Sequence, residues 1–360
     1  MKPILACMLS VSGLTLTDEE KRLLSSANPL GITLFKRNIF NKEQIKNLIA
    51  SVKEIVGRDD VLIAVDQEGG RVCRFSNPNW RTYLSQYALG SVPSDKQKEI
   101  ISLHGQLIAY DLKELGVNLN YAPVLDISYP DTTSALKSRI FSFDEKRVAE
   151  NGKILSDIYQ QNGICPCIKH LPGHGRAVVD PHLHLPILNQ SLSELEKDFH
   201  PFITLGETIP AGMTAHIVIS EVDDLPVTQS KKAIEEIIRK RLNFKGFLFS
   251  DAIDMNALSG SLTERTQKSL QAGCDAVCYC FGICDEMKQV IQAVRPLSDD
   301  AYERFSKIKD IINRPLSNFD VKKAGRRYDE LSALSKNLSS DYDAVEILHK
   351  MKDNEKARSI

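Results

Sequence analysis

Short apolar runs alternate with amphipathic segments along most of this chain. The runs at 3–8, 31–35, 61–65, 117–121, 164–168, 211–214, 247–249 and 276–279 are too brief for helices and read as buried strands. Helix starts punctuate the spaces between them. Thr17-Asp18-Glu19-Glu20 opens one, Asn41 precedes another, and Ser191-Leu192-Ser193-Glu194 has the Ser-x-x-Glu form of a capping box. Further helices are predicted over 95–115, 145–162, 231–242, 262–272 and 285–294. Eight short strands alternating with helices imply parallel pairing through crossovers. A closed (β/α)8 barrel of the TIM type, an α/β fold in a single domain, is the economical architecture, with an open doubly wound sheet as the alternative.

After residue 294 the pattern changes to helices without strands, predicted over 299–314 and 321–334. The expected organisation is a catalytic barrel over 1–315 and a helical, charged C-terminal extension over 316–360. From Ser339 onward, charges such as Asp341, Asp343, Glu346, Lys350 and Lys352 crowd a segment expected to be partly flexible.

A barrel of this kind gathers its active site at the carboxyl ends of its strands. Just past the predicted strands stand Lys36-Arg37, Asp66-Gln67-Glu68, Pro123 with Asp126, Lys169-His170, His216 and Asp251. Ionisable residues recur at one end.

The densest stretch runs from Lys169-His170-Leu171-Pro172-Gly173-His174-Gly175-Arg176 through Asp180-Pro181-His182-Leu183-His184. It reads as a glycine-punctuated loop beyond a strand, able to fold over a ligand or move as a lid. Asp180 stands close enough in sequence to His182 to orient its imidazole, which makes the pair a general acid/base candidate. In Asp66-Gln67-Glu68-Gly69-Gly70-Arg71, an apolar strand ends in a carboxylate backed by paired glycines. Asp66 with Arg74 fits either sugar hydroxyls or a structural ion pair. Asp251, at the end of a strongly apolar strand, is the nucleophile candidate, whereas Asp254 reads as a helix cap or loop residue. His216 fits a ligand contact or a hydrogen-bonded inner residue equally well. Arg139, taken alone, reads as a solvated loop charge.

Composition narrows the possible partners. A chain of 360 residues with 42% hydrophobic and 26% charged content can bury a large core. A formal net charge of -1 gives no reason to expect nucleic acid or an anionic membrane. No apolar run approaches membrane-spanning length, and too few apolar residues precede Cys7 for a signal-peptide core. Cys274, Cys278, Cys280 and Cys284 lack paired Cys-x-x-Cys spacing. Cys278 and Cys280 fit buried alternate strand positions, so no metal is expected. Reduced thiols point to the cytoplasm.

Together, the stretch from Lys169 to Gly175, Asp180-x-His182, the stretch from Val65 to Arg71, and Ser250-Asp251 resemble glycoside hydrolase family 3. More narrowly, they are similar to its single-domain bacterial β-N-acetylglucosaminidases of cell-wall recycling. The resemblance implies a retaining exo-glycosidase that acts through a covalent glycosyl-enzyme, with no cofactor. Asp251 matches the nucleophile, His182 the general acid/base and Asp180 its orienting partner. Asp66, Arg74, Arg139, Lys169, His170 and His216 match positions around the N-acetylglucosamine ring. The implied substrate is N-acetylglucosamine linked to 1,6-anhydro-N-acetylmuramic acid, with or without peptide, and the expected state is a monomer. Lys169 and Arg139 are expected to keep Asp251 ionised. This chain departs from the family pattern at Leu171, Pro181 and Ile253. A phosphorylase of the same family is the first alternative. A metal-dependent hydrolase using His182 and His184 with Asp180 or His174, and a catalytically inert sugar-binding protein, stand further off.

Overall fold

The computed structural model describes residues 2–179 and 184–336. Eight parallel strands close into a barrel: β1 Leu5–Leu9, β2 Pro29–Leu34, β3 Leu62–Val65, β4 Leu119–Asn120, β5 Cys165–Leu171, β6 Ala211–Thr214, β7 Phe247–Ala252 and β8 Ala276–Cys278. Each pairs with its neighbours in chain order, and β1 pairs with β8 to close the ring. Every predicted strand is present, within a few residues. The strands read as continuous apolar runs because crossover helices cover their outer faces.

The helices form where capping chemistry and amphipathic spacing coincide. In α1 (Asp18–Ala27), the Thr17 hydroxyl accepts from the Glu20 amide while the Glu20 carboxylate accepts from the Thr17 amide, a reciprocal capping box. The barrel helices continue with α2 Lys42–Val56, α3 Ser94–Leu115, α4 Glu145–Gln161, α5 Glu196–Leu205, the π-wound α6 Ala233–Arg241, α7 Leu262–Ala272 and α8 Cys284–Ala293. Two more, α9 (Asp299–Ile312) and α10 (Val321–Ser332), follow the barrel. The Ser191–Glu194 bonds form, but they close a turn that precedes α5. Among the described residues, no helix is long and apolar enough to cross a membrane.

Inside the barrel, Tyr121 stands edge-on to Phe249 at 6.2 Å, and its hydroxyl lies 3.0 Å from the Thr33 hydroxyl and 3.6 Å from the Cys278 sulfur. These side chains form the floor of the cavity above. Burial pushes the Cys7 thiol up to about 12, which leaves it an inert core group.

Two strands kink where the chemistry sits. The β5–β6 register shifts between Ile168 and Leu171, and the β7–β8 register shifts between Phe249 and Ala252. Such bulges re-aim side chains at barrel rims. Here they turn consecutive Lys169 and His170 to one cavity and bring Asp251 to the mouth. The predicted loop therefore starts later than expected, because β5 runs on through Leu171. Leu171 is fully buried, packed where a Cβ on Gly212 would lie only 2.6 Å from it.

Close strand packing generates a prediction. A Cβ at Gly31 would lie 2.1 Å from the Leu62 carbonyl oxygen, so Gly31→Ala must push β2 from β3. We expect a loss of roughly 1–3 kcal/mol or more in denaturant unfolding; an unchanged midpoint would show that the strands separate freely.

Candidate active site

One cavity opens at the carboxyl end of the strands, and Asp66, Arg74, Arg139, Lys169, His170 and Asp251 all line it. Asp66 follows β3, Lys169 and His170 end β5, and Asp251 lies in β7. Arg139 comes from the loop after β4, beyond a one-turn helix at Ser134–Lys137. Arg74 follows a small hairpin, Gln67–Gly69 with Val72–Cys73, which the apolar pattern does not announce.

A charge network ties these residues together. The Lys169 ammonium lies 2.8 Å from Asp66 and 2.7 Å from Glu68. Arg139 grips both Glu68 oxygens at 2.9 Å, and Arg74 reaches the other Asp66 oxygen at 3.2 Å. Burial pushes both carboxyls up, but their cations outweigh it: Lys169 and Arg74 hold Asp66 below the usual range, and Arg139 and Lys169 hold Glu68 well below it. The same pairing raises Lys169 despite its burial. Each Asp66 oxygen keeps a lone pair for a hydroxyl donor, which is the chemistry of sugar recognition.

Glu68 was missed as a site residue, although it lies two positions from Asp66. Its side chain is 1% exposed, so it acts on the cations and not on a ligand. Lys169 and Arg139, expected to act on Asp251, have Asp66 and Glu68 as close partners as well.

Asp126 is the second missed carboxylate. It accepts from the His174 amide at 2.7 Å and holds His170 Nδ1 at 2.7 Å. A carboxylate and a guanidinium bracket the His170 ring, since Arg139 donates toward Nε2 at 3.4 Å. Both ring nitrogens are thereby engaged, and the ring is fixed in place.

His216 is fully buried and does not line the cavity. Its Nε2 donates to the Ala252 carbonyl at 2.9 Å, and its Nδ1 lies 2.7 Å from the Thr228 hydroxyl. Thr228 in turn lies 2.8 Å from Thr214, whose hydroxyl accepts from the Asp251 amide at 3.3 Å. This ring of bonds braces the backbone that carries Asp251, which favours the inner reading of His216. Asp254 lines the cavity from a turn rather than capping a helix, and accepts from the Cys280 amide at 3.3 Å. Cys278, buried in β8, and Cys280, beyond the end of that strand, both line the same cavity. Among the described residues, no group of three metal-ligating side chains stands together.

Asp180 and His182 lie outside the described residues. The chain around them is pinned on both sides: the Ala177 carbonyl accepts from the Thr133 amide at 3.1 Å, and the Pro186 carbonyl from the Val218 amide at 2.9 Å.

With this geometry in view, comparison with known proteins is informative. The chain belongs to glycosyl hydrolase family 3, whose N-terminal domain matches residues 5–312, and it is a glycoside hydrolase. It is 35% identical to a beta-hexosaminidase of Haemophilus influenzae over 80% of this chain and 81% of that protein. A beta-hexosaminidase of Bordetella pertussis is 32% identical, over 94% and 98%. Among solved structures, NagZ from Neisseria gonorrhoeae in complex with N-trifluoroacetyl-D-glucosamine superposes with a TM-score of 0.82 at 30% identity, covering 93% of this chain and 99% of that one.

Two buried imidazoles generate a pH prediction. Burial pushes His104 and His174 from 6.5 down to about 4. Between about pH 4 and 6.5 the unfolded chain therefore binds more protons than the folded one, so stability rises with pH by about 1.4 kcal/mol per unit for each imidazole. Denaturant melts across this window should show the slope, and His174→Leu should remove one imidazole's share. A slope identical to the native protein's would refute the assignment to His174.

Proposed function

We propose that the chain is a retaining exo-β-N-acetylglucosaminidase that removes terminal N-acetylglucosamine from peptidoglycan fragments. The disaccharide with 1,6-anhydro-N-acetylmuramic acid, bearing peptide or not, is its substrate in cytoplasmic cell-wall recycling. The observation that carries this reading is the cavity itself: a strand-borne Asp251 facing a sugar-sized site built around Asp66, Lys169, Arg74 and Arg139. The gonococcal relative's complex with an N-acylated glucosamine supports the sugar assignment.

In the proposed double displacement, the Asp251 carboxylate attacks the anomeric carbon as protonated His182 gives its proton to the departing glycosidic oxygen. Neutral His182 then takes a proton from water, whose oxygen attacks the same carbon and releases Asp251. Asp180 orients the imidazole throughout, and Asp66 with its cations holds the ring hydroxyls. No metal or organic cofactor takes part, the barrel of 1–315 carries the chemistry, and the enzyme works as a monomer.

Hydrolysis of aryl β-N-acetylglucosaminides tests this reading. Asp251→Ala should abolish turnover. His182→Ala should slow substrates with poor leaving groups by roughly 10²–10⁴-fold and activated ones less. Activity should survive exhaustive chelation, and added phosphate should yield no sugar 1-phosphate. An active Asp251→Ala enzyme would overturn the mechanism, and a sugar 1-phosphate product would make the protein a phosphorylase.

A further inference from the structure

The C-terminal helix α10 lies beyond residue 312, where the family match ends, yet its buried face reaches toward the sugar-binding charges. Ala324, Gly325, Tyr328 and Leu331 form that face, which packs on α3. Tyr328 is 1% exposed. Its hydroxyl accepts from the Leu84 amide at 2.8 Å and lies 3.1 Å from His104 Nδ1.

Both partners touch the hairpin that bears Glu68. The Tyr83 carbonyl accepts from the Gly70 amide at 2.8 Å, and the Leu84 carbonyl is so close to Gly69 that a Cβ there would meet it at 2.0 Å. Gly69 has φ +97°, a conformation open to glycine but costly for other residues. His104 presses on the same glycine, with its Cε1 3.0 Å from that Cβ position. Because His104 is neutral and its Nδ1 accepts from the Tyr328 hydroxyl, its proton sits on Nε2. That nitrogen is buried without a formed hydrogen bond, and the Glu68 main-chain carbonyl is the group whose field favours its proton. Tyr83 completes the cluster, stacked edge-on to both His104 and Tyr328 and donating to Asp111 at 2.6 Å.

We propose that Tyr328 is a positioning residue for substrate binding: through Leu84 and His104 it sets the Gly69–Gly70 turn, and so places Glu68, which holds Lys169 and Arg139 at the sugar. The C-terminal helix is part of the binding apparatus rather than an appendage to the barrel. This rests on the proposed sugar chemistry only in the choice of assay substrate.

The test is steady-state kinetics on the full chain with an aryl β-N-acetylglucosaminide. Tyr328→Phe and His104→Leu should each raise KM roughly threefold to tenfold, the worth of one net hydrogen bond, with kcat within about twofold. The double variant should be no worse than either single one, because both act on one path. His104→Gln, which keeps a donor facing Glu68, should bring KM back toward the native value. Arg327→Ala, which cuts the exposed pair with Glu99, should lower the melting temperature and leave KM alone. A native KM in Tyr328→Phe and His104→Leu, with only the melting temperature lowered, would overturn the proposal. A native enzyme inert toward the N-acetylglucosaminide but active on an aryl β-glucoside would instead sink the substrate reading, and the same KM comparison on the glucoside would still decide the role of Tyr328.

Discussion

The mouth of the barrel depends on holding Asp66, Glu68, Arg74, Arg139 and Lys169 together almost without water. The Lys169 and Glu68 side chains are 3% and 1% exposed. Each such ion carries a desolvation cost of several kcal/mol, offset only by well-formed pairing. The arrangement is consequently close to all-or-none, since removing one carboxylate would leave a buried cation without its counterion. It also divides the labour. Asp66, the most exposed of the carboxylates in the network at 17%, can meet a ligand, while Glu68 serves as the anchor that fixes the cations.

This pairing has consequences for Asp251. Lys169 and Arg139 act at the mouth as members of a network already balanced at 2.7–2.9 Å by Asp66 and Glu68, not as lone cations. What the structure does supply to Asp251 is position. A bulge in β7 turns the residue to the cavity, and the chain of Thr214, Thr228 and His216 braces its backbone. His216 thus acts by holding the strand that carries Asp251, a role its place in the sequence could not separate from ligand contact.

The barrel was legible in the sequence because parallel strands buried on both faces write themselves as apolar runs, and capped amphipathic segments mark the crossovers. Asp66, Lys169, His170 and Asp251 were legible because strand ends in such a fold point one way. Glu68 was not, because a carboxylate between Gln67 and Gly69 looks like a solvated turn until Arg139, from a loop 71 positions on, closes on it. The bulges left no sequence signal, so β5 was ended too soon. Tyr328 was invisible for the same reason as Glu68: its partners lie 244 and 224 positions away, and no local pattern encodes a contact at that distance.

The function proposed above needs one acid/base, and the surroundings of each described histidine bear on which imidazole fits that role. A group that donates and then recovers a proton near neutral pH needs an accessible nitrogen and a pKa near the working range. His170 has Nδ1 on Asp126 and Nε2 facing the Arg139 guanidinium, so both nitrogens are already engaged. His216 has both nitrogens bonded and no exposure. His174 is buried and pushed down to about 4, so near neutral pH it lacks the second proton that an acid must give. The barrel thus buries the imidazoles it carries on β5, on the turn that follows it and after β6. The function proposed for the chain therefore keeps its acid/base at His182, next to Asp180 in the stretch of sequence between the anchored Ala177 and Pro186, which also holds His184.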